Sequence, residues 1–180
     1  MAQPPVRTAV AIGTFDGVHR GHQALLAAAV ASAQAHRGVA CVYTFDPHPT
    51  HVVAPQAAPT LLCSLERKLA LIEAAGIDLC VVEPFTREFA AHSADTFTDA
   101  IIAGALGARE VIVGWDWTYG KGRSGNPRTL AAAGQRLGFA VHTVPALLDG
   151  DAPISSTRIR RALADGAVAD AARLLGRPYD

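Results

Sequence analysis

At 180 residues the chain is long enough for a domain with its own core, and a composition 50% hydrophobic and 18% charged excludes a disordered polymer. Sixteen basic residues balance sixteen acidic ones, so no overall field draws the chain to nucleic acid or to an anionic membrane, and any anion site has to be local. No apolar run approaches a membrane span, and Met1-Ala2-Gln3-Pro4-Pro5 has neither the charged start nor the apolar stretch of a secretory signal. In chain order, strand-like runs fall at 8–12, 39–45, 79–83, 110–113 and 140–144. Several are almost continuously apolar and rich in Val and Ile, the pattern of strands buried on both faces. Helical stretches lie between them. Residues 23–36 are mostly Ala and Leu. Ser64 is placed to cap a helix over 65–75 that stops at Gly76. Ser93 or Asp95 caps another that runs to about 106 and ends at Gly107. Asn126-Pro127 reads as an N-cap followed by proline at the first helical position, opening a helix to about 137. Ser155 or Ser156 caps 157–164, ended by Gly166, and a last helix covers about 168–175.

This alternation predicts an α/β fold: a doubly wound parallel sheet of about five strands with helices on both faces, in one domain over 1–180. Ligands of such sheets bind beyond the carboxyl ends of the strands. The turn at 13–22 and the loops at 46–59 and 115–126 all follow strands and are expected on that edge. Cys41, Cys63 and Cys80 form no Cys-x-x-Cys pair, and Cys41 and Cys80 fall in apolar runs. Reduced thiols and a cytoplasmic location are expected.

Two stretches carry candidate chemistry. Gly13-Thr14-Phe15-Asp16-Gly17-Val18-His19-Arg20-Gly21-His22 joins the first strand to the first helix. It sets two histidines three apart at or just before a helix N-terminus, where unpaired N–H groups and partial positive charge suit phosphate. Two imidazoles there can donate hydrogen bonds to phosphate oxygens as charge builds during transfer. A glycine-rich turn can equally be plain connection chemistry, and His-x-x-His is common by chance. Ile154-Ser155-Ser156-Thr157-Arg158-Ile159-Arg160-Arg161 opens a helix with three hydroxyls and three arginines. Ser156, Thr157 and Arg160 could converge on phosphate oxygens; an ordinary N-cap with a solvated basic face is the plainer reading.

Three other patterns lead elsewhere. Gly120-Lys121-Gly122-Arg123-Ser124-Gly125 satisfies Gly-x-Gly-x-x-Gly, but it follows the fourth strand and Trp115 through Tyr119 separate it from that strand, so a dinucleotide fingerprint is not expected. Gly114 to Lys121 has the wrong spacing for a Walker loop. His19/His22 and His48/His51 lack a carboxylate or cysteine at ligand spacing, against a structural zinc site.

Taken together, Gly-Thr-Phe-Asp-Gly-Val-His-x-Gly-His at 13–22 and Ile-Ser-Ser-Thr-x-Ile-Arg at 154–160 resemble the signatures of the His-x-Gly-His nucleotidyltransferases. Thr44-Phe45-Asp46-Pro47-His48-Pro49, the run 113–125 and Leu174-Leu175-Gly176-Arg177-Pro178-Tyr179 narrow the resemblance to the adenylyltransferase module of bacterial bifunctional riboflavin kinase/FMN adenylyltransferases, in order over nearly the whole chain. The resemblance implies a Rossmann-like nucleotidyltransferase fold and the reaction FMN + ATP → FAD + pyrophosphate with Mg²⁺. The FMN phosphate would attack the ATP α-phosphorus directly, so catalysis reduces to positioning and charge stabilisation.

The resemblance also implies roles. His19 and His22 would act at the ATP phosphates, with Arg160 as a third catalytic group. Ser156, Thr157 and Arg160 would hold the β- and γ-phosphates, with Arg158 a weaker candidate. Gly13, Phe15 and Asp16 would shape the turn against the nucleotide. Phe45, Asp46, His48, Asp116, Trp117 and Tyr119 would complete the FMN side; Trp117 and Tyr119 stand where the family often has phenylalanine, which keeps an aromatic face. The implied partners are the small molecules ATP and FMN, while metal ligands and oligomeric state are left unspecified. The longer enzymes continue after Gly-Arg-Pro-Tyr into a β-barrel riboflavin kinase domain. With the sequence ending at Asp180, that domain is expected to be absent, and no kinase activity is expected. A cytidylyltransferase-like relative using another phosphorylated acceptor is disfavoured by the Asp-Pro-His-Pro and aromatic–glycine loops. A non-catalytic flavin- or nucleotide-binding module is disfavoured by the intact His19, His22, Ser156, Thr157 and Arg160.

Overall fold

In the computed structural model, which describes residues 7–179, strands β1 (Thr8–Ile12), β2 (Val39–Asp46), β3 (Leu79–Pro84), β4 (Ala108–Gly114) and β5 (Ala140–Val144) pair in parallel in the order β3-β2-β1-β4-β5. The stretch Met1–Pro5, read above for a signal, lies outside the described residues. The order follows from the apolar runs. Successive residues of a central strand feed opposite faces: Val10 and Ile12 join Cys41, Tyr43, Val111 and Val113 on one side, and Ala9 and Ala11 join Ala40, Val42 and Ile112 on the other. The chain winds outward from β1 to β3 and then crosses to β4, so the order reverses between β1 and β4. A crevice opens at the carboxyl ends there.

Among the described residues, eight α-helices surround the sheet: α1 (Arg20–His36), α2 (Pro49–Val53), α3 (Leu65–Ala74), α4 (Arg87–Ala90), α5 (Ala94–Thr96), α6 (Pro127–Leu137), α7 (Ser156–Ala164) and α8 (Val168–Leu175). α1 seats Leu26, Ala29 and Ala33 against the small side chains of β1 and β2, which let it approach closely, and α3 adds Ile72 to that face. Leu130 of α6 packs on the other face with Phe97 and Ile102. α7 and α8 bury Ile159, Ala171, Leu174 and Leu175 in a smaller cluster with Leu62 and Ile154. Among the described residues, no helix is long and apolar enough to cross a membrane.

The predicted elements are all present, with shifted ends. β2 and β3 each run one residue further, and β4 begins at Ala108 beside a register shift against Thr8. α1 begins at Arg20, three residues early, because the His19 side chain caps it. Ser93 and Ser155, each one of two candidates, are the caps used. The helix expected up to about 106 is α only as far as Thr96 and then widens into π-helical winding over Phe97–Ala105. There the Leu106 N–H donates to the Ile101 carbonyl, five residues back, and the Thr98 hydroxyl donates to the Asp95 carbonyl that the next turn would otherwise use. The expected 46–59 loop contains α2 and a 3₁₀ turn at Pro55–Ala57, α4 was not foreseen, and a two-stranded hairpin, β6 (Leu148–Asp149) with β7 (Ala152–Pro153), precedes α7.

Gly134 lies inside α6 facing the start of β5, where a β-carbon would stand 2.5 Å from the Phe139 carbonyl oxygen. In an exposed helix, alanine in place of glycine gains up to about 1 kcal/mol. Here the backbone contact reverses the sign, and Gly134→Ala is expected to destabilise the fold by about 1–3 kcal/mol. Urea unfolding checks this, and a raised midpoint would refute the close packing.

Candidate active site

The carboxyl edge of the sheet holds a cavity of about 840 Å³. Every loop expected on that edge reaches it. Of the residues singled out by sequence, Gly13, Phe15, His19, His22, Phe45, His48, Asp116, Trp117, Tyr119 and Ser156 line the wall. Asp16, Asp46, Thr157, Arg158 and Arg160 stand outside the lining set.

The turn after β1 has an unusual backbone. Phe15, Gly17 and Val18 have φ of 50°, 79° and 38°. A β-branched valine in the left-handed region is strained and persists only where the surroundings hold it. Those surroundings come from the following helix and from distant sequence. The Arg177 guanidinium donates to the carbonyls of Gly17 (2.9 Å) and Val18 (3.3 Å), and the Gln23 amide donates to the Val18 carbonyl (2.9 Å).

Just beyond, His19 caps α1: its Nδ1 accepts the His22 backbone N–H at 3.2 Å. That bond fixes the tautomer, since a neutral imidazole accepting at Nδ1 carries its proton on Nε2. Burial, followed by the cationic Arg160, pulls His19 down to about 4, against a hydrogen bond that acts the other way. His22 stacks on His19 with centroids 3.6 Å apart and meets Phe15 edge-on. Its pKa is lowered by burial first, then by His19 and Lys68. His22 Nδ1 is buried without a hydrogen-bond partner. An orphaned acceptor costs less than an orphaned N–H, so here too the proton belongs on Nε2. The pair is therefore two neutral imidazoles, each with an Nε2–H donor.

The two motifs from opposite ends of the sequence meet behind this turn. Arg160 forms a close ion pair with the buried Asp16 and donates from Nε to the Thr60 carbonyl at 2.7 Å. Asp16 also accepts the Leu62 N–H at 2.9 Å, and the Ser156 hydroxyl donates to the Asp16 carbonyl at 3.0 Å. The N-terminus of α7 is thereby fixed against the turn that opens α1. Arg158 is committed elsewhere: its guanidinium pairs with Asp149 and donates to the Ala152 and Pro153 carbonyls.

The wall away from the histidines is aromatic. Trp117 and Tyr119 stack with centroids 4.6 Å apart, and Phe97 packs against both. Tyr119 is largely core, 7% exposed. The glycines of the following loop serve this packing: a β-carbon on Gly125 would meet the Tyr119 ring at 2.4 Å, and one on Gly120 the Ala94 backbone at 2.7 Å. Phe45 contacts Phe85 and Phe89, both lining residues missed from sequence. Their signal was positional, since they follow the third strand as the noted loops follow theirs. Lys68 was also missed. It is 8% exposed and donates to the Phe45 carbonyl (3.1 Å), the Thr14 carbonyl (3.4 Å) and the Thr44 hydroxyl (3.4 Å). Its signal was helical spacing, four residues before the buried Ile72.

Residues 2–158 match the family model described as FAD synthetase. Among similar curated proteins are the bifunctional riboflavin kinase/FMN adenylyltransferases of Escherichia coli K12 (37% identical over 168 residues, 93% of this chain and 54% of that protein) and Pseudomonas fluorescens (39% over 179 residues, 98% and 57%). That of Bacillus subtilis 168 is 37% identical over 175 residues, 96% of this chain and 54% of its own length. The chain thus spans about half the length of the curated relatives it matches. A crystal structure described as a macrolide-efflux protein from Streptococcus pneumoniae has the same fold, with a TM-score of 0.85 and 28% identity over 98% of this chain and 59% of that one.

The depressed His19 pKa has a stability consequence. Between pH 6.5, the ordinary imidazole value, and about 4, the unfolded chain binds a proton at His19 that the folded chain refuses. Stability is therefore whole above pH 6.5 and falls as pH drops toward 4, by about 3 kcal/mol from this group; His22 acts in the same direction. Urea midpoints measured across that range should fall for the native protein and fall less for His19→Gln. Nitrogen NMR should find the His19 proton on Nε2 at pH 7, and a protonated His19 at pH 6 would contradict the burial argument.

Proposed function

The chain belongs to the FAD synthetase family, and on that premise we propose that it transfers the adenylyl group of ATP to FMN, giving FAD and pyrophosphate. The observation that carries this reading is the union, in one cavity, of a stacked pair of neutral histidine donors and the N-terminus of α7 with an aromatic wall. A phosphate chain and a flat conjugated ring need those two surfaces. The volume sits in the upper range for small-molecule sites, as two substrates require.

In this reading the chain's own residues position and stabilise charge. The triphosphate lies along the turn from Gly13 to His22. An FMN phosphate oxygen attacks the α-phosphorus, and the bond to the bridging oxygen toward the β-phosphorus breaks. Its electrons leave with pyrophosphate. His19 and His22 donate from Nε2 to oxygens whose charge grows in the transition state. The free N–H groups of Ser156 and Thr157 at the start of α7 hold the departing pyrophosphate, since the Ser156 hydroxyl proton is spent on the Asp16 carbonyl and Thr157 stands outside the lining. Arg160 acts on it from behind the wall while it fixes Asp16, which shapes the turn. Arg158, spent on Asp149, is given no phosphate. Phe45, Trp117 and Tyr119, with Phe85 and Phe89, face the flavin ring, His48 and Asp116 close its polar side, and Asp46 supports that side from outside the lining.

Mg²⁺ is the cation the resemblance implies. Among the described residues, no three His, Cys, Asp or Glu are grouped to hold a metal. Its oxygen ligands would come chiefly from the triphosphate and water. We place the enzyme in the cytoplasm, where its three free cysteines stay reduced. Its partners are the two small molecules, with no nucleic acid. The riboflavin kinase activity named for the longer relatives is not proposed for these 180 residues.

The test is chromatographic. With FMN, ATP and Mg²⁺ the protein should form FAD and pyrophosphate, and riboflavin in place of FMN should give none. FMN binding without pyrophosphate release would replace the enzyme reading with that of a binding module. His22→Ala should stay folded and lose about 10²–10³ in kcat, the scale for removing one transition-state donor; an unchanged kcat would remove His22 from the reaction.

A further inference from the structure

Lysine is almost never buried without a charged partner. Lys68 of α3 is buried, and its ammonium is met by three neutral groups: the carbonyls of Phe45 and Thr14 and the hydroxyl of Thr44. Thr44 also donates to the Thr14 carbonyl at 3.2 Å, so the network is closed and each ammonium donor has an acceptor. It makes no direct ion pair among the described residues. Of the carboxylates that act on it at longer range, Asp46 is exposed and Asp16 is already paired with Arg160. The positive charge is hydrogen-bonded but not neutralised.

Its position gives that charge a purpose. Thr14 belongs to the turn after β1 and Phe45 to the end of β2, and both line the cavity. The ammonium stands one layer behind that wall. Its field reaches His22 and His48, also wall residues, whose basicity burial lowers first and Lys68 lowers further. With neutral histidines in front, Asp16 consumed by Arg160, and Asp116 and Arg123 bringing one charge of each sign to the lining, Lys68 adds an unpaired positive charge behind the Thr14–Phe45 side of the cavity.

We propose that Lys68 is a positioning residue of the nucleotide site: it locks the Thr14 and Phe45 carbonyls at a fixed spacing, and its buried charge draws the phosphate chain of the substrate, and the pyrophosphate that leaves, onto the turn between them. The identity of the anion rests on the adenylyltransferase reading; the attraction of a polyphosphate does not. A neutral strut would satisfy the same carbonyls but would not attract an anion, and that difference is measurable.

Pyrophosphate is titrated calorimetrically into the native protein and into Lys68→Met, Lys68→Gln and Lys68→Arg, at two salt concentrations. Met and Gln are expected to weaken binding about tenfold or more, the scale of a lost charge-assisted contact, and to flatten its salt dependence. Arg, which keeps the charge, is expected to stay within about threefold of native. In the full reaction the neutral variants should raise the KM for ATP more than they lower kcat. A folded Met variant that binds pyrophosphate as the native protein does would overturn the proposal. If Met does not fold, a Gln variant that binds as Arg or native does would overturn it equally, and so would a native protein that binds no pyrophosphate. Lys68-dependent pyrophosphate binding in a protein that makes no FAD would sustain this role and refute the flavin assignment instead.

Discussion

The site depends on one ion pair, between the buried Asp16 carboxylate and the partly buried Arg160. Asp16 and Arg160 lie 144 residues apart in sequence, and their contact brings the N-terminus of α7 to the N-terminus of α1. The pair does not stand alone. Arg160 spends its Nε on the Thr60 carbonyl, and Asp16 takes the Leu62 N–H, so the 60–62 segment is stitched into the same joint. A largely desolvated pair of this kind contributes little net stability, because desolvating the charges offsets most of their attraction. Its value lies in direction. A guanidinium fork donates to its partners at fixed angles, which a hydrophobic contact of equal size would not impose. With the Ser156 hydroxyl on the Asp16 carbonyl, the two helix termini are held in a register that packing alone leaves free.

The same joint explains why a strained turn survives. Positive φ at Phe15, Gly17 and Val18 aims the carbonyls of residues 17 and 18 toward Arg177 and Gln23. Gln23 reaches on to the Leu175 carbonyl, and the Gly17 N–H finds the Cys63 sulfur at 3.4 Å. Strain of order 1–3 kcal/mol per residue is retained where the surroundings determine the conformation. Here, apart from Gln23, they come from 60–63, α7 and the segment after α8, none of them near the turn in sequence. The first motif is thus not a self-sufficient loop; its shape is written partly at residue 177.

This bears on what could be read in advance. The five strands, the principal helices and the edge on which the loops gather were legible, because burial on both faces leaves continuous apolar runs and caps leave hydroxyls before helices. α4, with four residues, is too short to show a period, and the hairpin around Gly150 has two-residue strands. The π-helical winding depends on a local hydroxyl that competes with the backbone, which periodicity does not register. Histidine as the cap of α1 escaped because a His side chain rarely plays that part, whereas Ser64 and Asn126 behaved as their types suggest. Arg158 and Arg160 look alike in sequence, two apart in a basic run. Only the fold separates them, by placing Asp149 under one and Asp16 under the other.

Lys68, adjacent to Arg67 in a helix of mixed charge, reads as solvent-facing until its face is known, and its burial completes a division of labour. The groups nearest the cavity, His19 and His22, are held neutral by burial and by neighbouring cations. The charges, on Lys68 and Arg160, stand behind them. A charged imidazole in the wall would bind a polyanion tightly at rest and would have to be desolvated to act. A neutral Nε2–H donor interacts weakly with a ground-state oxygen and more strongly as charge develops on it, and a preorganised, low-dielectric site magnifies that difference. On the adenylyltransferase reading, steady attraction from the rear layer and charge-sensitive donors in the front layer would separate binding from acceleration. The burial that holds each imidazole neutral, with one proton on Nε2, is on that reading the same burial that makes its hydrogen bond useful.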